Sequence, residues 1–260
     1  MRELSLAKFE EGMINEDAAI AKENLIAVSD GAGGGGVFAD RWSKYLVEHL
    51  PEKPVADYIT FDGWIDSIWE PFYNEYEEKA KSIGGLFLNK FYDEGSFATL
   101  VAVWNTGQWI SYGDSVAFCY DRGSGRLQHS FGRLVDFNNP PFLINCKDPL
   151  DENGFRSGKF KVTKDCLIFA TSDTLAHYIL MMYELANKDE YADELQAAID
   201  AQTKNSNFIK SAMRLRNRDF AKDVVQKLEN CKYPNLLKAH IERLKRWGFI
   251  GHDDYSIAIL

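Results

Sequence analysis

The chain has 260 residues, 45% of them hydrophobic and 13% aromatic, which is enough apolar material for one large domain with its own core. Lys and Arg number 30 against 39 Asp and Glu; the net charge of −9 argues against nucleic-acid or anionic-membrane partners and is compatible with clustered carboxylates that bind divalent cations. The four cysteines, Cys119, Cys146, Cys166 and Cys231, form no Cys-x-x-Cys pair and have no histidine at zinc-ligand spacing, so they read as reduced core thiols.

No run of about 18 apolar residues occurs, and the first residues hold no apolar stretch long enough for a signal peptide, so a cytoplasmic protein is expected. In chain order, the acidic segment from Glu10 to Ile20 brings the adjacent pair Glu16 and Asp17 into an extended stretch. Neighbours on such a stretch point to opposite sides, so one acid can face a site while the other anchors locally. Ala18, Ala19 and Ile20 lead through Lys22, Glu23 and Asn24 into the apolar run Leu25, Ile26 and Val28, which predicts a hairpin with Asp17 and Asp30 side by side.

The second run ends on Asp30, and five of the next six residues are glycine (Gly31 and Gly33 to Gly36). Without Cβ atoms such a stretch lets backbone carbonyls and amides approach an ion or phosphate closely. Its spacing is neither Gly-x-Gly-x-x-Gly nor a loop ending in Gly-Lys-Ser/Thr, so neither common nucleotide cradle is present. Apolar residues at helical spacing predict helices over Phe38 to Leu50, whose N-terminus points back at the glycines, and over Phe61 to Ser82, with a break at Pro51 and Pro54. The stripe Trp69, Phe72, Tyr73 and Tyr76 on the second is read as core.

From Gly95 the period becomes that of strands: 97–104, 108–112 and 115–120, with further strands at 127–131, 159–163, 166–171 and 255–260. So many short strands call for two packed sheets. The run Leu167 to Thr171 delivers Asp173 at its end, where it could cap the helix expected from Leu175 to Ala186, and capping does not exclude ligation. Residues 187–248 read as charged helices (189–201, 208–215, 220–228 and 236–247) inserted before the last strand, and Asp253 abuts that strand. Asp30, Asp173 and Asp253 thus each stand at the edge of an apolar strand, and three carboxylates on one rim point to a divalent metal.

Six motifs then occur in order: Asn15 to Ala18, Val28 to Gly34, Gly95 to Leu100, Tyr112 to Ala117, Thr171 to Asp173 and Asp253 to Ser256. Together they resemble the metal-dependent Ser/Thr protein phosphatases of the 2C (PPM) type, bacterial-like, over nearly the whole chain. The resemblance implies an α+β fold: a four-layer α-β-β-α sandwich of two antiparallel sheets flanked by helices, over residues 1–260 as a single domain with the 187–248 helices as an insertion. It implies Mn²⁺ or Mg²⁺ as cofactor, two ions with a third in some members, and hydrolysis of phosphoserine and phosphothreonine esters by a metal-activated water. Asp30 matches the carboxylate bridging both metals, and Gly31 the donor of a backbone carbonyl to the second. Asp173 and Asp253 match ligands of the first, Glu16 an acid near the second, Asp17 the neighbouring supporting acid, and Asp114 a third-metal position. A phosphorylated protein would be the partner. Hard oxygen donors suit these cations, and no Cys-x5-Arg loop offers a covalent route.

The chain departs from the family pattern at four places. Gly12 stands where the phosphate-binding arginine is usual, and Arg41 is the nearest candidate by sequence to supply that charge instead. Thr174 follows Asp173 in place of glycine. His177 occupies the place of a following acid, as ligand, general acid or packed helix residue. Ala32 stands where eukaryotic members carry histidine. The competing expectation is a catalytically weak or dead domain that binds a partner, with the 187–248 helices as its surface.

Overall fold

The structure, a computed structural model, describes residues 1–9, 12–215 and 218–260; Glu10 and Glu11, at the start of the acidic segment, lie outside the described residues. One sheet has the order β1-β12-β11-β7-β8, formed by β1 (Arg2–Leu6), β12 (Tyr255–Ile259), β11 (Cys166–Thr171), β7 (Val116–Asp121) and β8 (Arg126–His129). The other has the order β10-β6-β5-β3-β2, formed by β10 (Phe155–Lys159), β6 (Gln108–Tyr112), β5 (Leu100–Trp104), β3 (Leu25–Ser29) and β2 (Ala18–Lys22). Every pairing is antiparallel. A two-stranded piece, β4 (Phe97–Ala98) with β9 (Ile144–Asn145), completes the strands.

Strand alternation builds the layers. Ile26, Val28, Val101 and Val103 of one sheet meet Ala117, Cys119, Ile168, Ala170 and Ala258 of the other to form the central core. The opposite faces of the same strands bury Leu25, Ala27, Leu100 and Trp104 under α1 (Ala39–Glu48), α2 (Tyr58–Ile83) and α3 (Gly85–Glu94). Phe118, Phe169, Tyr255 and Ile257 are covered by α4 (Asp173–Ala186), α5 (Ala192–Asp200), α6 (Lys204–Ala212), α7 (Gln226–Asn230) and α8 (Pro234–Trp247). The result is the expected α-β-β-α sandwich, and the helices of the 187–248 region share the apolar cluster of α4.

Several boundaries differ from the sequence reading. β1 and α3 are additional elements, β1 pairing along its whole length with the last strand. The run 97–104 divides at Thr99, whose backbone and hydroxyl are engaged by the residues ending β3. The strand expected over 159–163 lies earlier, at β10, paired with Gln108 to Tyr112, because Lys161 gives its amide to the Gln128 side chain instead of the ladder. α2 begins earlier than expected, where Asp57 accepts from the Thr60 amide at 2.8 Å as N-cap, and it continues through Pro71 on its solvent-facing side. Segment 220–228 is a π turn over 221–225 followed by α7. All four cysteines are free thiols. Among the described residues no helix is long and apolar enough to cross a membrane.

Candidate active site

The β2–β3 hairpin pairs Ala18 with Ser29, which puts Asp17 and Asp30 next to each other at one end of the sandwich, as its sequence predicts. The backbone of Asp30 is fixed from both sides: its amide donates to Thr99 Oγ1 at 3.3 Å and its carbonyl accepts from the Thr99 amide at 2.8 Å. Thr99 Oγ1 lies 2.7 Å from Ser115 Oγ, so the 95–100 and 112–117 motifs act as a polar brace behind Asp30.

Gly31 follows where no other residue fits: a Cβ there would approach the Ala39 carbonyl oxygen to 2.8 Å and the Glu16 carbonyl oxygen still more closely. Its own carbonyl accepts from the Gly33 amide at 3.2 Å, which leaves one lone pair for a cation. Gly33 lies against Glu16, and a Cβ on it would collide with the Glu16 carboxylate. The glycine run is thus a bed for an acid as well as a bare turn.

On the other sheet, Ser172 and Ser256 join β11 to β12. The Ser172 amide donates to the Ser256 carbonyl at 3.1 Å, and the Ser256 amide donates to Ser172 Oγ at 3.0 Å. Ser172, not Asp173, is the N-cap residue of α4, and its hydroxyl is spent on the neighbouring strand. Asp173 is the first helical residue, its Oδ1 accepting from the Thr174 amide, while Thr174 Oγ1 donates to Asp253 Oδ2 at 3.4 Å.

The carboxylates of the two sheets influence one another strongly. Burial pushes Asp30 well above the ordinary carboxylate range, and Asp17, Asp173, Asp114 and Asp253 add to it. Burial raises Asp17 to about 8; the nearby hydroxyls of Ser172 and Ser256 draw it down by less without completing a hydrogen bond, so both its oxygens are without a partner among the described residues. Asp114, in the β6–β7 turn, is raised to about 8 by burial and by Asp173, and Asp173 to about 6 by burial and by Asp253. Burial also raises Glu16, against the pull of Lys8.

Two residues that the sequence did not single out complete the site. Asp254 is buried and accepts from the Lys8 amide at 2.7 Å and the Glu16 amide at 2.8 Å, tying the N-terminal segment to the start of β12. Lys8 then reaches in, its Nζ 3.5 Å from Asp253 Oδ1 and 3.6 Å from Glu16 Oε2. Burial works against its charge, but Asp253, Asp254 and Glu16 outweigh it and its pKa is raised. Arg41 is exposed and bound to Asp40 at 3.0 Å, at the edge of the cleft that Glu16 also lines. His177 is buried between the rings of Phe137 and Phe208, and burial lowers it to about 4, which fits the packed-residue alternative.

Among the described residues no three His, Cys, Asp or Glu side chains are gathered, as placed, into a group that could hold a metal ion. Asp173 and Asp253 are turned onto Thr174 and Lys8. The donor chemistry nevertheless fits a hard divalent cation: oxygen donors only, mutually repelling acids, and a buried carboxylate with unpartnered oxygens.

The fold is that of bacterial Ser/Thr phosphatases. The structure of the serine/threonine phosphatase Stp1 from Staphylococcus aureus superposes with a TM-score of 0.53 at 12% identity, over 99% of this chain and 92% of that one. The catalytic domain of the serine/threonine protein phosphatase PstP, in complex with two manganese ions, gives 0.52 at 14% identity over 99% and 95%. The Mycobacterium tuberculosis serine/threonine phosphatase PstP/Ppp gives 0.51 at 13% identity over 99% and 96%. At these identities the likeness is one of fold. No protein-family model matches the chain, and no curated protein matches it at a significant level.

Proposed function

We propose that the protein is a metal-dependent phosphoprotein phosphatase of the 2C (PPM) type that hydrolyses phosphoserine and phosphothreonine esters. The observation that carries this reading is the convergence, at one end of a phosphatase-like sandwich, of the buried Asp17, Asp30, Asp114 and Asp173, whose carboxyls are all pushed above the ordinary range, with Asp253 close enough to act on Asp30, Asp114 and Asp173. Buried acids held this close destabilise a fold unless protons or cations neutralise them.

In this reading Asp30, the Gly31 carbonyl, Asp173, Asp253, Glu16 and Asp114 hold Mn²⁺ or Mg²⁺, two ions with a third at Asp114. Such cations, when bound, supply an activated water and neutralise phosphoryl oxygens. Asp17, beside Asp30, keeps a negative field at the cluster once its proton has left, and Asp254 holds Glu16 and Lys8 in place through their backbone amides. Lys8, the cation in contact with Glu16 and Asp253, turns from those carboxylates to the substrate phosphate. It thereby supplies the charge that Gly12 cannot, as a point charge without the bidentate fork of an arginine.

Hydrolysis of a phosphoserine peptide by the purified protein, with Mn²⁺ titrated from zero, tests the reading. Turnover that rises with Mn²⁺ and disappears in chelator supports it. Absence of turnover at every metal concentration, with the protein folded, would favour the partner-binding alternative.

A further inference from the structure

A cleft of about 680 Å³ opens beside Glu16 and runs between the glycine loop, α1 and the α2–α3 corner. Its lining is largely apolar, including Ile14, Val37, Phe38, Tyr76 and Phe87, although the sequence assigned Tyr76 to core packing alone. Phe38 is held at φ 58°, a left-handed conformation unfavourable for a bulky side chain. Its ring is wedged edge-on between Tyr76, 4.8 Å away, and Phe87, 5.1 Å away. The packing of three rings holds that backbone in place and builds the cleft's apolar floor. At the mouth Ile14 is 64% exposed, an apolar side chain left in water two residues before Glu16.

The charged groups at the cleft cancel. Arg41 is paired with Asp40 at 3.0 Å, and Lys79 with Glu75 while lying 3.9 Å over the Tyr76 ring. Charge therefore does not select the occupant, and the aromatic floor does. Continuity with Glu16 ties the occupant to whatever reaches the carboxylate cluster.

Resting on the phosphatase reading above, we infer that this cleft binds the substrate polypeptide next to its phosphorylated residue and selects a bulky apolar side chain there. The phosphoryl group lies at the carboxylates, and the apolar side chain rests against Phe38, Tyr76 and Phe87. The packed aromatic floor makes the selection one of shape and buried apolar area.

The test uses a panel of phosphoserine peptides that are otherwise Ala and Gly, with Phe placed at each position within four residues of the phosphoserine on either side. Hydrolysis with Mn²⁺ gives kcat/KM, and the same panel made with a non-hydrolysable phosphonate gives Kd whether or not turnover occurs. One placement of Phe is expected to improve both quantities about tenfold over the all-Ala peptide. That preference should fall to near one in Ile14→Asp, a change at an exposed site, and in Phe87→Ser. A panel flat to within twofold in the wild-type protein, or a preference retained in both variants, would overturn the cleft assignment. If turnover is absent but the phosphonate preference and its loss in the variants are seen, the cleft stands and the catalytic reading fails.

Discussion

The Lys8 ammonium lies 3.5 Å from Oδ1 of Asp253, 245 residues further along the chain, and does so because Asp254 takes the Lys8 amide at 2.7 Å. A cation so placed meets a phosphate at the carboxylate cluster. Lys8→Ala should raise KM for a phosphopeptide on the order of tenfold with a smaller change in kcat, and Lys8→Arg should keep KM near wild type or lower it. Steady-state kinetics with Mn²⁺ saturating checks this. Tighter Mn²⁺ binding in Lys8→Ala with an unchanged KM would mean that Lys8 only neutralises the carboxylates.

Much of this site is legible in the sequence, and what is not has a physical reason. The hairpin that sets Asp17 beside Asp30 follows from two apolar runs around a short turn, and β11 can be read to its last residue because the apolar run Leu167 to Ala170 gives way at Thr171 and Ser172 to the acid Asp173. Lys8 and Asp254 could not be read, because their contact spans 246 residues and depends on β1 pairing with β12, whose Arg2 to Leu6 partner is too short and polar to announce itself. Gly12 stands at φ +80° with no atom within 4 Å of a Cβ built there, so an arginine at that place would meet backbone strain and not crowding. β10 lacks β-branched residues and is an edge strand, which is why the strand was expected a few residues later.

Stability should depend on pH in a direction that metal reverses. Asp17 and Asp114 stand at about 8 and Asp173 at about 6, above their unfolded values, so the native protein holds more protons and loses stability as pH rises toward 8. Glu184, raised to about 8 by burial, adds to the same loss. His177 and His240, lowered to about 4, act oppositely, but only below the ordinary histidine range. Between pH 6.5 and 8.5 the chelated protein should therefore lose about 5 °C of Tm or more, and Mn²⁺ should raise Tm by an amount that grows with pH. Differential scanning fluorimetry in both conditions decides it; a flat or rising Tm in chelator would contradict the protonated cluster.

Gly33→Ala should leave the fold intact, since Gly33 has an ordinary φ and the group its Cβ would meet is the end of the Glu16 side chain. The displaced carboxylate should raise the Mn²⁺ concentration for half-maximal activity on the order of tenfold. An unchanged metal requirement would remove Glu16 from the ligand set.

His177→Leu should retain kcat/KM within about twofold and keep or raise Tm, because the buried Nε2 has no partner among the described residues and leucine removes its desolvation cost. A loss of activity beyond tenfold in a folded variant would give His177 a role in the chemistry.

Asp30→Asn carries the central claim, and calorimetric titration of Mn²⁺ beside phosphopeptide hydrolysis is the measurement. Asparagine removes one of the mutually repelling acids, so the chelated variant should be at least as stable as wild type while binding Mn²⁺ weakly and losing activity by orders of magnitude. Wild-type turnover and wild-type Mn²⁺ affinity in a folded Asp30→Asn protein would contradict a metal-dependent phosphatase built on these carboxylates.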